Sequence, residues 1–333
     1  MASTIKLKRG SGVPSGGSLA AGEPALDLTN NKLYSSTDGT DVVQIGVALD
    51  ENAPVGTDNV LLGANALAGA TTTINNVAIG SGALQVYNNS NGGNTAVGYN
   101  ALNVCYGNLN TAVGYNALAV ATASGFNTAM GYQVLGIQTT GNFNTAFGMQ
   151  AGINVTTGSS NVLIGDSAGS FISTGGSNTC IGMDTGRVPS LTTGNNNTLL
   201  GFQASPSSSS ASNEITLGNA NITSLRCNDT SISSLSDQRD KTNIVDSVYG
   251  LETLEKVKVR QFEWATRRGN IKDGTTDIGF IAQELQEVGD NSLLKLVMES
   301  NPEFLEAKPA NLIPILVKAV QELSAKVKEL EAR

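Results

Sequence analysis

Nine asparagines recur along the middle of this chain at nearly constant spacing, and no other feature restricts its fold as strongly. They are Asn59, Asn76, Asn94, Asn110, Asn127, Asn144, Asn161, Asn178 and Asn197, with steps of 17, 18, 16, 17, 17, 17, 17 and 19 residues. Each opens a short unit: NVLLG, NVAIG, NTAVG, NTAVG, NTAMG, NTAFG, NVLIG, NTCIG and NTLLG. A fixed period of this length marks a stacked repeat, in which no unit buries its apolar side alone.

Taking the asparagine as position 0, each residue type has a reason to be there. Asparagine tolerates tight-turn geometry and starts the strand. Position +1 is Thr or Val, which suits a pleated strand. Position +2 is mostly Ala, position +3 is a larger apolar residue and position +4 is Gly, where the chain bends or meets another backbone closely. Alternation sends +1 and +3 to one side and +2 to the other. Both sides are apolar, so both are expected to be covered. The larger +3 residues are expected to fill the coil, which leaves the +2 alanines to another surface. Sister copies in a homotrimer would supply it; a monomeric solenoid is the alternative. A second short strand is expected after each unit, as at Tyr99-Asn100-Ala101-Leu102. The predicted fold class is mainly β: a trimeric stacked β-roll or β-helix shaft, with coils about 4.8 Å apart and a length on the order of 40 Å.

Charge and composition narrow the function. No Asp, Glu, Lys or Arg lies between Asp58 and Asp166, and the net charge is −8, which argues against nucleic acid as a partner. The chain has no histidine, so Ser-His-Asp and Cys-His catalysis and His-ligated metals are excluded. No glycine-rich loop opens a helix to cradle a phosphate, and no cofactor or metal is expected. Asp166 and Asp184 fall in separate coils, which argues against acid-base glycan cleavage. Cys105, Cys180 and Cys227 lie far apart and read as small buried thiols. No 18-residue apolar run predicts membrane insertion, and the first residues lack the apolar core of a secretory signal. Tyr99, Tyr115, Phe126 and Tyr132 are expected to wedge between coils; exposed, they would stack on sugar rings.

The chain divides into residues 1–58, a shaft at 59–211, a β connector at 212–235 and a charged tail at 236–333. In the head, KLYSSTDGTDVVQIG reads as a hairpin turning at Asp38-Gly39. Lys6, Lys8 and Arg9 read as guards of an edge strand. The connector alternates Ile215, Leu217, Ile222, Leu225, Cys227, Ile232 and Leu235 with polar residues. In the tail, VYGLETLEKVKVRQFEW is expected to pass from helix to strand, and DIGFIAQEL to open a helix. Leu316, Val320, Leu323, Val327 and Leu330 form a heptad seam that predicts a coiled coil of two or three strands. Ser236 and Lys241, in SDQRDK, fit either a capped polar turn or a nucleophile and its base. Burial and a neighbouring cation such as Arg239 favour a neutral lysine; Asp237 and Asp240 oppose it unless they point away.

Three resemblances follow. NTAVGYNAL resembles the repeat of trimeric autotransporter adhesin heads and phage fibre shafts, over about residues 59–204. IKLKRG, AGEPALD and the KLY…DGT hairpin resemble the N-terminal module of phage tail-fibre and virion proteins. SDQRDKTNI, FEW, DIGFIAQELQEV and LVKAVQEL resemble the intramolecular chaperone domain of the peptidase S74 family. Together they imply a homotrimeric fibre in the virion, made in the host cytoplasm. Residues 1–58 would dock to baseplate, tail or capsid proteins, and a host cell-surface glycan or protein would be the target. They further imply a tail that trimerises, directs folding and cuts itself off between Leu235 and Ser236, with Ser236 as nucleophile and Lys241 as general base. The Ser236–Asp237 bond is the other candidate, and Arg239 or backbone N–H groups would stabilise the oxyanion. At most this is single-turnover autoproteolysis. The alternative is a structural fibre or adhesin that keeps its trimerisation domain.

Overall fold

The structure, a computed structural model, describes residues 8–10, 25–27, 32–35, 43–45, 59–69, 73–87, 89, 91–187, 190–228, 236–265, 274–303 and 305–333. The chain forms two compact units, Met1–Asn219 and Ala220–Arg333.

The first unit is a β-solenoid of about nine turns. Ten three-residue strands, from Val60–Leu62 to Ile215–Leu217, form one parallel sheet in chain order. Equivalent positions face each other: Ala112 lies between Ala96 and Ala129. The sheet runs one rung past the nine asparagine units. There Ile215–Leu217 pairs with Thr198–Leu200, and Glu214 stands where the next asparagine would be. Its N–H donates to Asn197 Oδ1 at 3.0 Å, and its carboxylate accepts the Ser207 N–H at 2.9 Å.

The asparagines form a continuous ladder through this stack. From Asn76 to Asn197 each is buried, and each backbone N–H donates to Oδ1 of the preceding asparagine at 2.9–3.0 Å. The side-chain amide also reaches a turn carbonyl in the next coil, as from Asn144 to Gly158 O at 2.8 Å and from Asn161 to Gly175 O at 3.0 Å. A buried backbone group needs such a partner, since leaving one unpaired costs about 1–3 kcal/mol. The glycine at +4 is equally constrained. Gly131 has φ +137°, and a Cβ there would sit 2.5 Å from Gly148 O in the adjacent coil.

Inside and outside are the reverse of the sequence expectation. The +2 residues Ala78, Ala96, Ala112, Ala129, Ala146, Leu163, Cys180 and Leu199 are the buried ones. The +3 residues point outward, with Phe147 52% and Leu62 44% exposed. The reason is volume. In the four coils after the first, the interior is already filled by Leu84, Leu102, Leu118 and Leu135 at position +8, all fully buried, and the +2 residues beside them are alanines; the first coil holds a leucine at both, Leu61 and Leu67. Where +2 grows to Leu163, the +8 residues nearby shrink: a Cβ on Gly152 or Gly169 would lie 2.5–2.6 Å from a Leu163 methyl.

Three further expectations change. Tyr99-Asn100-Ala101-Leu102 is a turn, with Asn100 and Leu102 at φ +52° and +50°. The second sheet is instead short and local, pairing Val86–Tyr87, Val104–Cys105 and Val120–Ala121. The aromatics do not wedge between coils. They stack along the outside, Tyr99 on Tyr115 on Tyr132 at centroid distances of 5.2 and 5.4 Å, and Phe126 on Phe143 at 5.0 Å. Among the thiols, Cys105 and Cys180 are buried as expected but Cys227 is exposed. In the head, Lys8–Gly10, Ala25–Asp27, Lys32–Ser35 and Val43–Ile45 form a four-stranded sheet, with Leu33 opposite Ile45 in an antiparallel pair. Lys6 and the Asp38-Gly39 turn lie outside the described residues.

The second unit is built on short elements. Helices α1 (Leu251–Leu254), α2 (Ala282–Gln286), α3 (Asn291–Leu294) and α4 (Ile313–Glu331) enclose a core of Leu285, Val288, Leu296, Val297, Leu312 and Ile315. Strands Arg260–Glu263 and Thr276–Gly279 pair antiparallel. The segment Asp277–Gly279 is thus strand, and the helix expected there starts only at Ala282. Helix α4 buries Ile315 and Ala319, while the seam residues Leu316, Val320, Leu323, Val327 and Leu330 are all exposed in the single chain.

Candidate functional site

A single 3-10 turn, Gln238–Asp240, brings Ser236 and Lys241 together. Asp237 caps it: its Oδ1 accepts the Arg239 N–H at 2.8 Å. The turn closes through Asp240 N–H to Asp237 O at 3.2 Å and Lys241 N–H to Gln238 O at 3.1 Å. Lys241 then leaves in extended geometry, φ −127° and ψ 144°. Its Nζ lies against Ser236 Oγ and 3.2 Å from Ser236 O. The capped turn is what brings the serine and lysine side chains into contact.

Arg239 folds back on Asp237. Its Nε is 3.0 and 3.1 Å from the two carboxylate oxygens and its Nη2 is 2.6 Å from Oδ2. That bidentate pair holds the Asp237 carboxyl below its usual range, through the side-chain hydrogen bonds first and the backbone bond second. The pair occupies the guanidinium proposed as oxyanion donor and keeps the Asp237 carboxylate engaged. Leu235, on the acyl side of the proposed cut, lies outside the described residues.

Ser236 through Val248 are exposed within the single chain. A lysine becomes a base when it is desolvated, and among the described residues of the single chain nothing covers this pair. A cavity of the second unit leaves the pair out. That space, about 530 Å³, is lined by Val245, Val248, Tyr249, Leu294, Pro314 and Ile315 among others, and by neither Ser236 nor Lys241.

The other motifs meet one another. Phe262 of FEW pairs across the sheet with Asp277 of DIGF. Phe262 and Trp264 meet edge to face at 5.4 Å, and Trp264 Nε1 donates to Asp277 Oδ2 at 3.4 Å. Arg260 forms a bidentate pair with Glu284 of α2 and holds that carboxyl below its usual range. A link that sequence reasoning missed ties α4 to the start of α1. Glu322 Oε2 accepts the Leu251 N–H at 2.9 Å, and Gly250 leaves room for it, since a Cβ there would be 2.5 Å from that oxygen. The partners are 71 residues apart, and no local pattern announces them.

Residues 236–294 match the family model of Peptidase_S74, the chaperone of endosialidase. The matched Peptidase_S74 segment opens on Ser236 and takes in the 3-10 turn, the strand pair and α1 to α3; helix α4 follows it. No curated protein and no solved structure matches the chain.

Proposed function

We propose that this protein is a homotrimeric structural fibre of a phage virion whose C-terminal domain directs trimerisation and folding and then cuts itself off. The contact of Lys241 Nζ with Ser236 Oγ, inside the segment that matches the chaperone family, carries this reading. Ser236 Oγ attacks the Leu235 carbonyl carbon while Lys241 takes the hydroxyl proton. That proton passes to the Ser236 nitrogen as the amide breaks, leaving Leu235 esterified to Oγ. Water then hydrolyses the ester, giving a Leu235 carboxylate and a free Ser236 amine. Proximity favours the step, because nucleophile and scissile amide belong to one residue. In this reading sister copies cover the exposed pair, so cleavage follows assembly.

Two features support the assembly half. The exposed heptad seam of α4 suits a coiled coil, and the uncharged parallel stack has the long-range pairing that folds slowly and aggregates easily. Helices held together first raise the local concentration of the three shafts. Residues 1–58 dock to the particle, and the distal shaft meets a glycan or protein of the host surface. Fresh wild-type protein on a denaturing gel is expected to resolve into 1–235 and 236–333, while Ser236→Ala and Lys241→Met stay whole. A wild-type chain that forms trimers and remains intact would refute self-cleavage.

A further inference from the structure

The outer side of the ten-stranded sheet carries an apolar surface that the single chain leaves open. Positions +1 and +3 of each unit flank the buried +2 residue and share that side, and the −1 and +5 residues just beyond the two ends of the strand are exposed as well. In three consecutive coils both edges of it are large and apolar: Leu109 with Tyr115, Phe126 with Tyr132, and Phe143 with Met149. These side chains are 45–60% exposed. The rings of each column lie within 18° of parallel, so their faces are turned to one another and their edges outward. A sugar ring needs a free aromatic face; a column of ring edges instead suits a second aromatic column, met edge to face.

The area fits a second copy. Six half-exposed rings (Tyr99, Tyr115, Phe126, Tyr132, Phe143 and Phe147) offer on the order of 600 Å². Met130, Met149, Ile164 and Leu200 on the same side bring it toward the roughly 800 Å² per partner of a stable interface. No charge interrupts the sequence between Asp58 and Asp166. A threefold ring is closed by heterologous contacts, one edge of a patch meeting the opposite edge on the next copy.

We propose that the Phe126–Phe143 column of each copy packs against the Tyr115–Tyr132 column of its neighbour, with Met130 and Phe147 turned toward the common axis. This rests on the trimer reading above and specifies its interface. The test uses the full chain with Ser236→Ala to keep it whole and Cys227→Ser to remove the exposed thiol. Phe126→Cys and Tyr132→Cys are added together. Within one chain these positions lie beyond opposite ends of the strand Thr128–Met130, itself about 10 Å long, which is beyond the reach of a disulfide. Oxidation is expected to give a covalent trimer on a non-reducing gel, lost on reduction, and neither single variant should give one. Light scattering separates the failures. A trimer whose double variant does not cross-link overturns this pairing alone; a monomer overturns the trimer reading and the pairing with it. Tyrosine nitration of the Ser236→Ala chain serves if the cysteine variant fails to fold. Tyr115 and Tyr132 should then react at least tenfold more slowly than Tyr106, which lies off this side and is 46% exposed; equal rates would overturn the proposal.

Discussion

Asn161 hangs from Asn144 by two hydrogen bonds to one atom: its backbone N–H reaches Asn144 Oδ1 at 2.9 Å and its side-chain amide reaches the same oxygen at 3.0 Å. Asn144 in turn satisfies Gly158 O, and its own N–H is satisfied by Asn127 Oδ1. Asn144→Ala therefore strands the Asn161 N–H and the Gly158 carbonyl inside the coil. At about 1–3 kcal/mol for each buried orphan, the shaft should lose on the order of 2–6 kcal/mol. Denaturant unfolding of the full chain followed by circular dichroism measures it, and a change below about 0.5 kcal/mol would mean the ladder is incidental.

Three buried acids predict weakening at high pH. Burial pushes Cys105 up to about 11, Cys180 up to about 12 and Tyr87 up to about 12. On unfolding these groups return to ordinary values near 9 and 10. The unfolded chain then holds fewer protons than the folded one, so stability is complete below about pH 9 and falls as pH rises to about 12. Each group contributes a slope of up to about 1.4 kcal/mol per pH unit within its window. Melting temperature against pH checks the sign, and Cys180→Ala should flatten the decline.

Thiol reactivity should divide the cysteines by place. At pH 8 a maleimide is expected to modify exposed Cys227 at once and to leave Cys105 and Cys180 untouched until the chain unfolds, because only an accessible thiolate reacts. Peptide mass mapping reads the outcome.

Gly250→Ala should loosen the second unit. The new methyl meets the Glu322 carboxylate and the Leu251 N–H loses its acceptor, at a cost of about 1–3 kcal/mol. A lower melting transition for the second unit by differential scanning calorimetry, with the solenoid transition unmoved, is the expected result.

Much of the solenoid was legible because its determinants repeat. The ladder asparagine and the +4 glycine each answer a local demand, a buried donor to satisfy and a backbone too close for a Cβ. The choice of which side faces in was not legible from alternation, since both sides are apolar. In several coils a less obvious signal accompanies it, an exchange of volume between +2 and +8: Ala129 with Leu135, but Leu163 with Gly169. The serine–lysine contact was legible as a spacing, and the segment as a capped polar turn. The Arg239–Asp237 pair and the Glu322–Leu251 bond were not, because side-chain direction and a separation of 71 residues leave no periodic trace. Asp277–Gly279 was misjudged as helix because its partner strand, Arg260–Glu263, lies outside any local window.

The central claim is that the C-terminal domain brings the shafts together before they can fold. It is tested most directly by expressing residues 1–235 alone beside full-length Ser236→Ala and measuring molar mass in solution. Aggregated or unfolded 1–235 beside a soluble full-length trimer is the predicted result. A well-folded 1–235 that reaches the same trimer unaided would contradict it.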